Sequence, residues 1–342
     1  MNKRLAFLQK TYCRLFKKQN HGESAAQQIN NADNSFRHIR KDWIFFGITF
    51  LLLFCSFYHN TLASGFDLLF GDNGDTRFNL LIVEHWIQFF CGDLDFAEPR
   101  MFYPADYGVG FSDLSFAVAL LELPLRLIGL DLYRSTQIVY YLFHLIGAAS
   151  CFYLLRYQLR LHLLPSLIGM LIICFSNAMY VKLYHTQFYN YYLLPLLLVL
   201  IIQYCRYPAG TKFGRRAITL IAAMLAAVLI LYTGFYTIFY TVFFSAAFAA
   251  GCLLAFLYRQ NREDVSAFLQ WLKIRLPEAA LTAFLGLAAL IPFLIIYWPV
   301  VQLGYKRPWY EIRKCLLKPY DFFNVGADNF LWSSWLKNTF PQ

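Results

Sequence analysis

The sequence has few charged residues. Only 15% of its 342 residues are Asp, Glu, Lys or Arg, and 59% are hydrophobic, whereas an average soluble domain has about 25% charged residues. A disordered chain is excluded, because disorder requires low hydrophobicity and high charge. An ordinary soluble enzyme is disfavoured, because so much apolar surface would face water. The composition predicts one polytopic, all-α integral membrane domain.

Metal-binding and disulfide patterns are also missing. The eight cysteines form no CxxC pair and no Cys/His ligand spacing, so neither a zinc module nor a disulfide framework is expected. Most of them lie in apolar runs and are predicted to be small core residues. Cys91 and Cys315 lie in polar segments, and a disulfide between them is left open. No cleavage site follows the basic N-terminus, which argues against a removed signal peptide.

Long apolar runs are abundant. A helix that crosses a bilayer needs about 20 mostly apolar residues. The sequence predicts seven transmembrane helices: Trp43–Ala63, Ser135–Leu155, Leu163–Tyr180, Phe188–Cys205, Ala217–Thr233, Phe235–Leu257 and Glu278–Val300. An eighth apolar stretch, Leu114–Leu130, carries Glu122 and Arg126 four residues apart and is predicted to lie flat in the membrane interface.

Loop charge gives these spans an orientation. Ten Lys and Arg fall in alternate loops, and only Lys182 falls in the opposing short loops, which makes the basic side cytoplasmic. We therefore expect a basic cytoplasmic segment (1–42), a membrane domain (43–300) with an extracytoplasmic loop (64–134), and an extracytoplasmic tail (301–342). The net charge of +10 is a topology signal. Nucleic-acid binding is not expected, because the basic residues form no continuous stripe.

One outer segment opposes the overall charge. Ser64–Asp113 contains nine acids and only two strong bases. Its sequence Gly71–Arg77 (GDNGDTR) places Asp72 and Asp75 just before a predicted helix, Phe78–Phe90. A carboxylate pair can bind a divalent cation such as Mg²⁺ or Mn²⁺, or can supply a general base. Alternatively, one of these acids only caps the helix.

Other residues of this outer loop are candidates for substrate contact. Arg77 suits a phosphate, or else neutralises Asp72. Glu84 and His85 lie two to three helical turns further on and are expected to face the same site. Ser112 and Asp113 precede the flat stretch Leu114–Leu130 and are predicted to cap it.

Two further outer segments carry candidates. His185 and Gln187 lie in a tight turn and are predicted to contact substrate, unless they only belong to an interfacial aromatic belt. Pro195 is expected to kink the next span. In the tail, Arg307 lies among aromatic residues, which suits a phosphate or glycan face or, equally, a lipid headgroup surface.

The order of these motifs resembles the GT-C superfamily of membrane glycosyltransferases, in particular its bacterial members. The motifs are GDxxD after the first span, FYP–YG–SD (102–113), the segment ALLELPLRLIGLD (119–131), and YHTQF (184–188) followed by LPL (194–196). The resemblance covers roughly residues 43–335. It implies a GT-C-like fold with interfacial helices in the first outer loop.

The resemblance also implies a function. In that superfamily the first outer loop carries the catalytic Asp, and the donor is usually a polyprenyl-phosphate sugar. By this likeness, Asp72 or Asp75 activates the hydroxyl of a glycan, lipid or protein acceptor outside the bacterial inner membrane. Family members usually continue with further spans, which leaves open that a second membrane chain completes the fold. The alternative is a non-catalytic transporter, flippase or assembly partner for lipid-linked glycans.

Overall fold

The computed structural model describes residues 25–71, 74–99, 101, 106–176, 179–180, 185–208, 210–259, 262–304, 306 and 308–316. In these ranges the chain is helical and contains no β-strand, as the sequence predicts. The chain divides into two compact units, Met1–Leu51 and Leu52–Gln342. The candidate site and the helix contacts that position it belong to the second unit.

Helices account for most of the described chain. Two 3₁₀ segments, Gly108–Phe111 and Thr186–Leu193, and a π-helical turn, Leu154–Gln158, lie between α-helices. In chain order the α-helices are α1 (Ala25–Phe57), α2 (His59–Ala63), α3 (Asp75–Cys91), α4 (Phe116–Leu127), α5 (Leu132–Tyr153), α6 (Leu163–Cys174), α7 (Leu194–Arg206), α8 (Phe213–Thr233), α9 (Phe235–Arg259), α10 (Arg262–Gln302) and α11 (Trp309–Cys315).

Four helical segments of the described chain are long and apolar enough to cross a membrane. They are Leu132–Gln158, Thr186–Arg206, Phe213–Thr233 and Leu269–Gln302. Each overlaps one of the seven predicted spans, and together they support a membrane protein by length and composition. Pro195 lies in the first turn of α7, where its missing N–H costs nothing. Within the membrane-length segment Thr186–Arg206, this position is where the 3₁₀ segment changes to α-helix, and the kink at Pro195 stays a prediction.

The other three predicted spans are not confirmed. The run Trp43–Ala63 is interrupted, because α1 ends at Phe57 and the short helix α2 follows. The run Leu163–Tyr180 contains α6, which has only 12 residues and so rises about 18 Å, against roughly 30 Å of bilayer hydrocarbon. The described apolar part of α9 is Phe235–Gly251.

The stretch predicted to lie flat forms α4, Phe116–Leu127. Its 12 residues are also too few to span. One of the two ionisable side chains of α4, Glu122, lies in the protein interior. Glu122 is fully buried and accepts a hydrogen bond from Ser135 Oγ at 3.0 Å, and burial raises the pKa of Glu122 to about 7.

Packing centres on α5 and α8. Helix α5 contacts α4, α6, α7 and the 3₁₀ segment Thr186–Leu193, and α8 contacts α4, α7, α9 and α10. Tyr140 and Phe143 of α5 and Ile230 of α8 are almost completely buried. The short helix α4 and the 3₁₀ segment Thr186–Leu193 each contact both α5 and α8, which hold them in place.

Glycines and a capping aspartate set where several helices begin and end. Helix α3 stops at Gly92, whose φ of 86° is the left-handed conformation typical of a helix C-terminus. Helix α5 starts after Asp131, whose carboxylate accepts from the amide of Arg134 at 3.0 Å. Gly234 alone separates α8 from α9. A Cβ there would lie 2.9 Å from the carbonyl oxygen of Gln187, so this close approach requires glycine.

The basic loop residues meet at one end of the helices. Arg206 donates to the carbonyl of Gln158 at 3.0 Å, and Arg275 donates to the carbonyl of Tyr204 at 3.0 Å. The most buried contact at this end joins α8 to α10. Arg216 Nε lies 2.7 Å from Glu278 Oε1, and the two side chains are 8% and 0% exposed.

Breaking this ion pair should destabilise the fold. Glu278→Ala leaves Arg216 buried without its counter-charge, at a cost of about 3–5 kcal/mol, whereas replacing both residues by Leu removes both desolvation penalties and restores most of the loss. Chemical unfolding of the purified protein in detergent measures this. Lys273→Leu, an exposed change on the same helix, is the control. Equal destabilisation by the single and double variants would contradict the role of the pair.

Candidate active site

The first turn of α3 presents Asp75. Gly74 occupies the N-cap position and has no side chain with which to cap this helix end. The Asp75 carboxylate instead accepts a hydrogen bond through Oδ2 from Nδ1 of His185 at 2.6 Å. The capping alternative for Asp75 therefore does not describe this structure, and Asp75 and His185 form a pair.

A second bond brings the same two segments together. Asn79, one turn after Asp75, donates through Nδ2 to Gln187 Oε1 at 2.8 Å and to the Asp75 carbonyl at 2.8 Å. Gln187 belongs to the 3₁₀ segment Thr186–Leu193, where Tyr189 and Tyr192 are buried. Tyr189 and Tyr192 therefore belong to the core and not to an exposed belt, and Tyr191 is half-buried.

The four consecutive residues Ser112–Ser115, here called the anchor segment, are held by four different helices. Each residue contributes at least one hydrogen bond. The Tyr297 hydroxyl of α10 donates to the Ser112 carbonyl at 2.5 Å, and the Phe235 amide of α9 donates to Asp113 Oδ1 at 3.1 Å. The Trp86 indole of α3 donates to the Leu114 carbonyl at 2.7 Å. The Ser115 amide donates to the Thr233 carbonyl of α8 at 3.1 Å.

Asp113 does not cap the helix that follows it, so that prediction is wrong. The N-cap of α4 is Ser115, which makes no side-chain cap bond. The Asp113 carboxylate lies at the start of α9 instead, where unpaired amides and the helix dipole favour a negative charge. Burial, and to a smaller extent the charge of Asp75, nevertheless raises the pKa of Asp113 to about 6.

These elements enclose a cleft of about 410 Å³. Its described lining contains two carboxylates, Asp75 and Asp113, and no Lys or Arg. The amides of Asn79 and Gln187 supply further polar groups. The rest is largely an aromatic wall, here defined as Phe78, Phe111, Phe235, Tyr236 and Tyr297.

An apolar groove of about 380 Å³ lies next to this cleft. Its polar atoms face away: the Trp86 indole bonds Leu114, and the Tyr232 hydroxyl bonds the carbonyl of Ala289. Ile296 of the groove precedes Tyr297 of the cleft, so α10 contributes to both. The groove is lined by Trp86, Phe89, Phe96, Phe116, Ala117, Leu120, Leu225, Val228, Leu229, Tyr232, Ala289, Pro292 and Ile296.

Glu84 and His85 do not face the cleft, contrary to expectation. Glu84 forms an ion pair with Arg126 at 3.1 Å in a separate surface pocket. His85 is 3% exposed and donates through Nε2 to the Phe96 carbonyl at 3.4 Å. Burial lowers the pKa of His85. The reason is rotation along α3: positions 84 and 85 point away from the face that carries Asp75 and Asn79.

The remaining predictions concern Arg77, Asp72, Arg307, a metal site and Cys91. Arg77 is exposed on α3 and is not part of the cleft lining. Asp72 and Arg307 lie outside the described residues. Among the residues that are described, no group of three or more His, Cys, Asp or Glu could hold a metal ion. Cys91 is a free cysteine.

Some cleft residues were not predicted from the sequence. Asn79 follows Asp75 by four residues and could have been found from helical spacing. Phe235 and Tyr236 come directly after Gly234, and the turn at this glycine marks their position. Nothing in the sequence separates Tyr297 from the other aromatic residues of its apolar run.

The cleft can bind a polar, ring-shaped ligand and accept a proton from it. Its carboxylates accept hydrogen bonds, its aromatic rings offer flat apolar surfaces, and the Asp75–His185 pair fixes one carboxylate in position. No protein-family model, curated protein or solved structure matches the chain.

Asp113 should make the protein less stable when it is ionised. Its folded-state pKa of about 6 exceeds the ordinary value of 3.8, so the folded protein holds this proton more tightly than the unfolded chain does. Stability is therefore lost as pH rises from about 4 to 6, by up to about 3 kcal/mol.

Asp113→Asn keeps an oxygen for the Phe235 amide without the charge. The variant should be more stable than the natural protein above pH 6, and the difference should shrink towards pH 4. Thermal unfolding in detergent across this pH range measures the effect. An advantage that does not change with pH would contradict burial of an ionised Asp113.

Proposed function

We propose that this chain is a membrane glycosyltransferase. It transfers a sugar from a polyprenyl-phosphate donor to an extracytoplasmic glycan, lipid or protein acceptor. The observation that carries the proposal is the cleft itself. Asp75, which His185 orients, and Asp113 both line it, and an apolar groove lies beside it. The resemblance of the GDxxD loop to the GT-C superfamily supports the same assignment.

Asp75 has the properties required of a general base. Its Oδ2 is held by His185 Nδ1 at 2.6 Å, and the residue also lines the cleft. In the proposed reaction the acceptor hydroxyl gives its proton to Asp75, and its oxygen attacks the anomeric carbon. The bond from that carbon to the phosphate oxygen breaks, and polyprenyl phosphate leaves. Positioned carboxylates typically contribute about 10²–10⁴-fold in such steps.

The apolar groove supports a lipid-linked donor. A polyprenyl chain needs an apolar surface that reaches the reacting centre, and burial of such surface contributes about 25 cal/mol per Å². The groove and the cleft share α10. Trp86 of the groove also donates to Leu114 of the anchor segment, whose Ser112 and Asp113 line the cleft. A donor whose chain lies in the groove can therefore present its sugar to Asp75.

The cleft elements fit the orientation that loop charge predicts. Asp75, Asp113, Gln187, Phe235 and Val300 all come from segments assigned to the extracytoplasmic side, and all five line one cleft. The basic cluster around Arg206 and Arg275 gathers residues assigned to the cytoplasmic side. We therefore propose an inner-membrane protein with a cytoplasmic N-terminus and an extracytoplasmic C-terminus.

The leaving phosphate also requires a cationic group, and we propose Arg77 or Arg307 for this role. Arg77 is exposed two residues after Asp75 and does not line the cleft, and Arg307 lies outside the described residues. A divalent cation would supply the same neutralisation, with Asp72 and Asp75 as its proposed ligands. Asp75 is already engaged by His185, and the described residues do not complete a metal centre. No step of the reaction is therefore assigned to a metal.

Removing the proposed base should abolish transfer. Asp75→Asn keeps the shape of the side chain but cannot accept the proton, so the rate should fall by about 10²–10⁴-fold. Proteoliposomes supplied with radiolabelled short-chain polyprenyl-phosphate hexoses and pentoses report loss of label from the donor. Asp72→Asn, measured in parallel, assigns the base between the two carboxylates.

Full activity in both variants would exclude this mechanism. Movement of labelled lipid sugar across the bilayer without transfer to any acceptor would contradict a glycosyltransferase and favour a transporter or flippase. Asp67→Asn, an exposed change in the same loop, controls for loss of surface charge.

His185 should act as a positioning residue. His185→Ala frees the Asp75 carboxylate and should lower kcat by about tenfold or more with little change in KM, because positioning matters mainly in the transition state. His185→Gln, which can still donate to Asp75, should recover part of the loss. A purely structural role predicts instead that both variants lose folded protein and that kcat per folded molecule is unchanged.

A further inference from the structure

The charge of the cleft is unusual for a site that handles phosphorylated lipids. Its described lining has Asp75 and Asp113 but no Lys or Arg. Asp113 is only 7% exposed, and one of its oxygens is committed to the Phe235 amide. The anion-binding position at the start of α9 is thus already filled by a carboxylate of the chain itself. A carboxylate on a bound sugar would meet two like charges there.

The aromatic wall points to the complementary ligand. Tyr236 and Phe111 are 45% and 38% exposed, and the rings of Phe235 and Tyr236 lie 4.3 Å apart. Such rings offer flat apolar faces to the C–H side of a sugar ring and electron-rich faces to a cation. Carboxylates and amides at the edge accept and donate hydrogen bonds to its hydroxyls.

We infer that this cleft binds an uncharged or amine-bearing sugar ring and rejects one that carries a carboxylate, with Asp113 as the specificity-determining residue. The inference rests on the proposed function, because it names the class of sugar that the same site accepts. Specificity of this kind comes from repulsion: a like charge close to Asp113 costs more than a lost hydrogen bond.

A matched ligand series tests the inference by direct binding. Methyl glucoside, its 6-amino-6-deoxy analogue and methyl glucuronide differ only in the group at C6, which is neutral, cationic or anionic. Saturation-transfer NMR on the purified full chain in nanodiscs at pH 7.5 gives a Kd for each, and the galactose and mannose series are measured in the same way.

The expected order of affinity is amine, then hydroxyl, then carboxylate, with the carboxylate at least about tenfold weaker than the hydroxyl. Asp113→Asn should narrow that ratio, because the repelling charge is removed while the bond to the Phe235 amide is kept. Asp67→Asn removes an exposed carboxylate of the same loop that pairs with Arg134 at 3.3 Å, and it should leave the ratio unchanged.

Equal or tighter binding of the carboxylated sugar would overturn the inference, and so would an unchanged ratio in Asp113→Asn. Absence of saturable binding in all three series would overturn it too, while transfer that depends on Asp75 would still stand. Conversely, the expected order of affinities in a protein that transfers no sugar would sink the glycosyltransferase assignment and leave the cleft as a selective sugar-binding site.

Discussion

The anchor segment, Ser112–Ser115, is the constraint on which the site depends. Its four hydrogen bonds reach α3, α8, α9 and α10, so one short stretch fixes the relative positions of helices far apart in sequence. Three of the four acceptors in these bonds are main-chain carbonyls, those of Ser112, Leu114 and Thr233, and such groups must be satisfied when they are buried. Ser112 and Asp113 line the cleft, and Leu114 accepts a hydrogen bond from Trp86 of the apolar groove, so this segment joins the two walls.

Gly234 shows how tightly the surrounding turns are fitted. It separates α8 from α9, and a Cβ at this position would lie only 2.9 Å from the carbonyl oxygen of Gln187. Asn190 completes the turn by donating to the carbonyls of Ile230 and Gly234 at 3.0 and 2.7 Å. The start of α9 therefore lies against the 3₁₀ segment that carries Gln187, and Asp113 reaches an amide that would otherwise lack a partner.

Patterns of composition and spacing were sufficient for the coarse picture. Apolar runs predict the helical class and the four confirmed membrane-length helices, and the GDxxD loop singles out Asp75. Local spacing failed where tertiary contacts decide. It assigned Asp113 to the helix that follows it, although the carboxylate bonds Phe235, more than one hundred residues later. It grouped Glu84 with Asp75, although Arg126 of α4 binds Glu84. The helical period already places position 84 on the face opposite Asp75, so this grouping could have been avoided. The long-range partners Phe235 and Arg126 are not encoded in a local window.

Buried charged side chains are compensated at one end of the helices and not at the other. At the basic end, Arg216 is matched by Glu278, and Arg275 by main-chain carbonyls. In the cleft, Asp113 is buried near Asp75 with no basic side chain in the described lining. A structural role does not require this, because an amide side chain would accept the Phe235 hydrogen bond without the desolvation cost of a charge. A carboxylate that costs stability at neutral pH is best explained by a ligand that uses its charge.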